Sequence, residues 1–270
     1  MPTAAALRVA EATHSRRPLS QPYFPQLDAL RAVAVLGVML HHYWPEAEKA
    51  LGLSTGFLGV QLFFVLSGFL ITGILLRARD RVQLGQSSTS HGIGQFYIRR
   101  VLRIFPLFYA MLAIAWLAGL PEVRDSLPWH LMYASNVYMV RIQDWHGSVS
   151  HLWSLAVEEQ FYLVWPFVIF FMPRRWLLPV FVGVTALAPA FRVVTALTDV
   201  HWMAAYALPF GNCDSLALGG ILAYASNARW GGPRFRSRLV TAALWIGAPL
   251  AVVMWYLEFN GISSLSLIHI

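Results

Sequence analysis

Charge is what this chain has least of. Asp, Glu, Lys and Arg make up only 12% of its 270 residues, about half the share usual in a soluble domain. Hydrophobic residues make up 57% and the mean hydropathy is +0.55. Together these exclude a soluble globular domain and leave a polytopic membrane protein. Cysteine is nearly absent. Cys213 has no second thiol to pair with, so no internal disulfide forms and the redox compartment stays unread. The first 25 residues lack the apolar core of a signal peptide and read as a short polar tail. Internal repeats are absent, as is any polar stretch long enough for a separate soluble domain. The net charge of +7 alone would admit a nucleic-acid partner, but where the charges sit argues against one.

Seven apolar segments are predicted to span the membrane, roughly residues 27–44, 57–76, 101–119, 152–172, 176–195, 205–225 and 239–257. With the N-terminus in the cytoplasm, the outer side holds only Lys49, Arg124, Arg141 and Arg192 of the 20 Lys and Arg. All the others fall inside. That positive-inside bias accounts for the basic pI without nucleic acid, and basic inner loops favour anionic lipid head groups. The expected fold is all-α: a multi-pass helix bundle in the cytoplasmic (inner) membrane, with residues 1–25 as a cytoplasmic tail and 26–264 as the membrane domain. The inner loop 77–97 turns Ser- and Gly-rich and is expected to be flexible. The outer loop 121–150 carries Trp129, Trp145 and His146 and is expected to lie on the membrane surface. An odd span count and the closing LSLIHI, residues 265–270, predict a truncated gene with a non-natural tail.

The stretch around which the chain is organised is LDALRAVAVLGVMLHHY, Leu27 to Tyr43. Ten residues separate Arg31 from His42, and the first nine of them carry no ionisable group. Eleven helical steps return His42 to within roughly 20° of Arg31 and set the two about 16 Å apart along the axis. Either residue is costly against lipid, so the shared stripe is expected to face protein. Imidazole has the unperturbed pKa suited to taking a hydroxyl proton, which makes His42 a candidate general base and Arg31 a candidate anion contact. His41 points about 100° away and reads as structural.

Three further groups carry polar residues where apolar ones are cheaper. Ser67-Gly68, inside Gly56 to Leu76, reads chiefly as a close-packing site; the alternative is a gap admitting a narrow ligand that Ser67 hydrogen-bonds. Arg99, Arg100 and Arg103, at i, i+1 and i+4, line one sector and with Arg31 would form an arginine cluster suited to a phosphate-bearing ligand. Glu158 and Glu159 lie about two turns inside the fourth span, with His151 seven residues earlier on the same face. If that span packs on the first, Glu158 reaches the depth of His42 and orients its imidazole. No Ser or Cys nucleophile accompanies the pair, which favours direct transfer over a covalent intermediate. Asp214, ahead of Gly219-Gly220, is a secondary candidate for which a structural role is favoured.

LDALRAVAVLGVMLHH, GVQLFFVLSGFLI, FYIRRVLRIFP and HLWSLAVEEQFYLVWP occur in this order, over about residues 24 to 225. In this the chain resembles acyltransferase family 3, the membrane-bound bacterial O-acyltransferases that modify polysaccharide, peptidoglycan, lipopolysaccharide and small hydroxylated acceptors. The resemblance implies about ten spans in a complete chain. It also implies acetyl-CoA or another acyl-CoA as donor substrate, with no permanently bound cofactor and no metal. The family's Arg-X10-His pair falls on Arg31 and His42, its Arg-X-X-Arg on Arg100 and Arg103, and its Ser-Leu-X-X-Glu segment on Ser154 and Glu158. One departure is that Asn212-Cys213 precede Asp214, where a basic residue is common. The expected reaction is acyl transfer across the membrane to a surface carbohydrate. His42 is its base, oriented by Glu158; Arg100 and Arg103 hold the donor's phosphates, and Ser67 lies beside its path. The competing reading is a glycan exporter using the same Arg, His and Glu as a proton relay.

Overall fold

The computed structural model describes residues 25–227 and a few isolated positions between 233 and 245. The N-terminal tail, nearly all of the seventh predicted segment and residues 265–270 lie outside the described residues. Every element among the described residues is helical. In chain order they are α1 Pro25–Tyr43, α2 Pro45–Leu51, α3 Thr55–Gln83, α4 Thr89–Leu117, α5 Pro121–Leu131 and α6 Ser135–Ile142. A 3-10 turn, Gly147–Val149, leads to α7 Leu152–Phe171, α8 Arg174–Ala196, α9 Met203–Ala207 and α10 Pro209–Ser226. Proline opens or nearly opens several of them, because a first-turn residue needs no N–H.

Four helices, α3, α4, α7 and α8, are long and apolar enough to cross a bilayer. The helices α1 and α10 sit where spans were predicted but fall short of that apolarity. They carry Asp28, Arg31, His41 and His42 on one, Asn212 and Asp214 on the other. The sixth predicted segment is also broken. Leu208 is extended, with ψ 153°, ahead of Pro209, as steric conflict with a following proline ring requires. The short α9 lies on one side of the break and α10 on the other.

The inner loop is a correction. Both α3 and α4 have 29 residues, roughly 43 Å each, and leave only 84–88 between them. The Ser-rich stretch is a helix start, since the Ser88 hydroxyl accepts the His91 N–H at 3.2 Å. The outer loop 121–150 likewise folds, into α5, α6 and the 3-10 turn.

The hub is α3. It packs on α1, α4, α7 and α10. Ser67 Oγ donates to Glu158 Oε1 at 2.5 Å, Trp165 Nε1 donates to Thr72 Oγ1 at 2.8 Å, and Arg79 Nη1 donates to the carbonyls of Ile169 and Met172 at 2.6 and 2.8 Å. Residue numbers rise together along these rungs, so α3 and α7 run parallel. The chain therefore crosses once between them, through α4, while α5 and α6 stay at one end. Arg79 closes the C-terminal carbonyls of α7, where a cation also meets the negative end of the helix dipole.

Gly68 and Gly219 let α3 and α10 touch backbone to backbone. A Cβ on Gly68 would collide with the main chain of Leu216, and one on Gly219 with Val65 and Gly68. The packing reading of Ser67-Gly68 thus holds, and α10 fills the gap the alternative required. Ile71, Leu75, Trp165, Ile169, Phe181 and Ala217 form the main core around these contacts. On the outside of α4, Leu102, Leu107, Ile114 and Leu117 are exposed, an apolar face of the kind hydrocarbon covers.

Candidate active site

At one end of the bundle, where α1 ends and α3 and α7 begin, lies a cavity of about 940 Å³. His41, His42, His151, Glu48, Ser154 and Trp153 are among its lining residues. His42 is exposed to it. His42 Nδ1 lies 2.8 Å from the carbonyl of Val38. A carbonyl only accepts, so Nδ1 carries the hydrogen and the neutral ring holds its lone pair on Nε2. No hydrogen bond among the described residues occupies Nε2. The ring therefore stands as an acceptor at the cavity wall, oriented by its own helix.

That arrangement corrects the expected partnership. Glu158 is on α7, but its hydrogen bond goes to Ser67 and not to His42. The helix α1 packs chiefly along α3, with Ala34, Val38 and His41 against Gly59 and Gly56. The row of Arg31 and His42 flanks this seam and does not sink into it. At the far end of α1, Arg31 is half-exposed and paired with Asp28 at 2.9 Å.

His41 is no bystander. Its Nδ1 lies 2.7 Å from Glu48 Oε2, and Glu48 also accepts from the Thr55 hydroxyl at 3.0 Å and the Gly56 N–H at 3.3 Å. Burial alone would raise the Glu48 carboxyl; the hydrogen bonds from His41, Thr55 and Gly56 outweigh it and hold the group below its ordinary value. Across the cavity, desolvation and the nearby His42 push the His151 imidazole down. The Ser154 hydroxyl donates to the His151 carbonyl at 3.1 Å.

A second polar cluster lies deeper. Arg100 begins the fourth turn of α4, opposite α7, because the helix starts at Thr89. Its guanidinium lies 3.4 Å above the Tyr162 ring and its Nε is 3.7 Å from Glu159 Oε1. Glu158 feels both Arg100 and Arg103 electrostatically. Arg99 and Arg103 are exposed, whereas Arg100 is largely covered. The four-arginine cluster does not form as expected, since Arg31 turns to Asp28 and Arg100 to Glu159. Buried within the same region, the Tyr133 and Tyr162 hydroxyls and Arg100 Nε complete no hydrogen bond among the described residues. Tyr133 is held there in left-handed backbone, φ 52°.

Asp214 gains the cation that its neighbours in sequence lack. Arg192 of α8 donates to Asp214 Oδ2 at 2.6 Å and to the Gly211 carbonyl at 2.8 Å. Beside them Ser215 donates to Gln61, and Gln61 to Asn212. Sequence reasoning had no signal for this pair, because Arg192 read as an ordinary outer-side charge. Glu48 was equally silent within a short polar loop. No group of His, Cys, Asp and Glu among the described residues is arranged to hold a metal.

Comparison with known proteins adds a family. Residues 24–270 match the acyltransferase domain of acyltransferase family 3. The chain is 38% identical over 172 residues to the peptidoglycan O-acetyltransferase OatA of Listeria monocytogenes, covering 58% of this chain and 26% of the relative. It is 37% identical over 171 residues to the O-acetyltransferase OatA of Staphylococcus aureus, again 58% and 26%. With the putative peptidoglycan O-acetyltransferase YrhL of Bacillus subtilis it shares 38% over 161 residues, 53% and 23%. The chain thus spans about a quarter of the length of these relatives. No solved structure matches.

Proposed function

Because the chain belongs to acyltransferase family 3, whose acyltransferase domain residues 24–270 match, we propose that it moves an acetyl group from an acyl-CoA to a hydroxyl of a cell-surface carbohydrate. The glycan acceptor rests on its relatives' names, which speak of peptidoglycan and O-acetyl transfer. The observation that carries the reading is the tautomer of His42: a lone pair on Nε2, without a protein partner among the described residues, at the wall of a cavity large enough for a sugar.

In this reaction His42 Nε2 takes the acceptor's hydroxyl proton as the oxygen attacks the thioester carbonyl. The new C–O ester bond forms, the C–S bond breaks, and the imidazolium returns the proton to the departing thiolate. The Val38 carbonyl holds the ring in register, the part that a carboxylate takes in a triad. Glu159, paired with Arg100, keeps that guanidinium inside the bundle, and the neighbouring Glu158 is fixed by Ser67. Exposed Arg103 is the better placed of the two for the donor's phosphates, and Arg31 remains an anion contact on the His42 row. Arg77 and Arg81 near the end of α3 and Arg174 and Arg175 at the start of α8 lie at the end remote from the cavity, which supports a reading with that end in the cytoplasm and the cavity outside.

The test is the O-acetyl content of surface glycan, by NMR, in cells carrying wild type or His42→Ala. The expected loss is on the order of a hundredfold or more, with the variant still inserted at normal abundance. Acetylation that survives in the inserted variant removes His42 from the chemistry.

A further inference from the structure

The cavity has an aromatic wall that the chemistry above does not use. Trp145 stands at its rim, 40% exposed. Tyr206 of α9 meets it nearly perpendicularly, centroids 5.2 Å apart at 85°, and Trp153 of α7 closes on Tyr206 at 5.0 Å. Trp202 also approaches the indole, at a tilt, with centroids 6.2 Å apart at 54°. Even with both neighbours, the ring keeps 40% of its surface exposed at the cavity rim.

The backbone around Trp145 is held in place at some expense. Gln143 is in left-handed conformation, φ 57°, although it is not glycine. The Trp145 N–H is tied to Asp144 Oδ1 at 2.7 Å. Gly147 follows at φ 52°, and a Cβ there would come within 2.6 Å of Glu122 Oε1. A non-glycine residue in left-handed backbone beside an exposed tryptophan is a pattern of ligand clamps, and Gly147 takes its own positive φ without strain but admits no side chain there. A tryptophan that merely anchors at a membrane interface needs none of this.

The rest of the wall narrows the ligand. His41, His42, His151, Glu48 and Ser148 offer donors and acceptors around the apolar ring. A lipid chain would leave the His42 Nε2 lone pair facing hydrocarbon, at a cost. A polyphosphate would face Glu48 with Lys49 as the one Lys or Arg among the lining residues. A pyranose fits both parts, because its C–H face is apolar and its hydroxyl rim is polar. We propose that Trp145 is the platform on which a pyranose ring of the acceptor glycan stacks, with its hydroxyl edge turned to the histidines. The proposal rests on the glycan reading and names a specificity-determining residue for it.

The experiment uses the purified chain and a soluble tetramer of N-acetylglucosamine, with titration calorimetry for binding and acetyl transfer to the tetramer for turnover. The expected result is saturable binding in wild type and Trp145→Phe that is lost in Trp145→Ala. The KM for the tetramer rises roughly tenfold in Trp145→Ala, as loss of one ring-stacking contact predicts, while kcat changes by less than about twofold. Trp116→Ala, an exposed tryptophan that does not line the cavity, behaves as wild type and controls for interface anchoring. If Trp145→Ala binds and turns over the tetramer like wild type, the platform is wrong and the acyltransferase reading stands. An equal loss in Trp116→Ala reduces Trp145 to an anchor and overturns the platform too. If wild type binds through Trp145 but acetylates no glycan, the platform stands and the proposed reaction falls.

Discussion

His42 is oriented by a backbone carbonyl four residues earlier in its own helix, so its tautomer survives changes in any neighbouring side chain. Glu158→Gln is therefore expected to leave the His42 ring in place; 15N shifts of the imidazole, which separate the two tautomers, should match wild type. Sequence alone indicated His42, Arg31 and Glu158, because a polar residue amid apolar ones in a span is costly enough to stand out. It did not indicate their partners. The ligand of Glu158 is 91 residues away in sequence, and that of His42 is a main-chain atom that every residue possesses. Arg192 and Asp214 were hidden for the first reason. Asp214→Ala leaves the partly covered Arg192 without its carboxylate and is expected to cost roughly 2 kcal/mol, read as a lower melting temperature in detergent. His130 sets a pH limit. It is fully buried between Ser126 and Ser135. Desolvation, with His146 and His151 nearby, pushes it down to about 4, while an unfolded histidine titrates near 6.5. The folded protein thus keeps neutral a ring that the unfolded chain protonates. The contribution is complete above about pH 6.5, is lost as the pH falls toward 4, and amounts to at most about 3 kcal/mol. Melting at pH 7 and at pH 5 should show a smaller drop for His130→Asn than for wild type.

At the scale of elements, helix starts were harder to read than helix interiors. The apolar runs 27–44, 152–172 and 176–195 agree with α1, α7 and α8 within two residues. Those that differ do so for local reasons. Ser88 caps α4, so a Ser-rich stretch that resembled a linker is the beginning of a helix; Pro209 breaks a run that hydropathy alone makes continuous. Close packing was legible in kind but not in partner, since a glycine announces an approach and leaves open by what. Gly68→Val drives a side chain into the main chain of α10 and is expected to destabilise by about 3 kcal/mol, measured as thermal unfolding in detergent. Arg79→Ala is expected to fray the last turn of α7 and speed amide exchange at residues 169–172, with little effect at its first turn.

For the whole molecule, composition was enough to read a membrane helix bundle, and the distribution of arginines makes a prediction about its orientation. Cys213, the single cysteine, is buried, which gives a clean topology test. Lys49→Cys should react with a membrane-impermeant maleimide on intact cells. Arg81→Cys should react only after permeabilisation. Labelling in the opposite sense would invert the bundle and the sidedness of the reaction with it.

The rungs between α3 and α7 have a consequence in time. Ser67, Thr72 and Arg79 leave the ribosome some 90 residues ahead of Glu158, Trp165 and Ile169. At about 5–20 residues per second this is a wait on the order of ten seconds. During it α3 must hold a hydroxyl pair and an arginine before the α7 groups they bond to have been made. A nascent chain stalled before residue 158 should therefore be a substrate for insertion chaperones and membrane proteases, and one released beyond residue 172 should not.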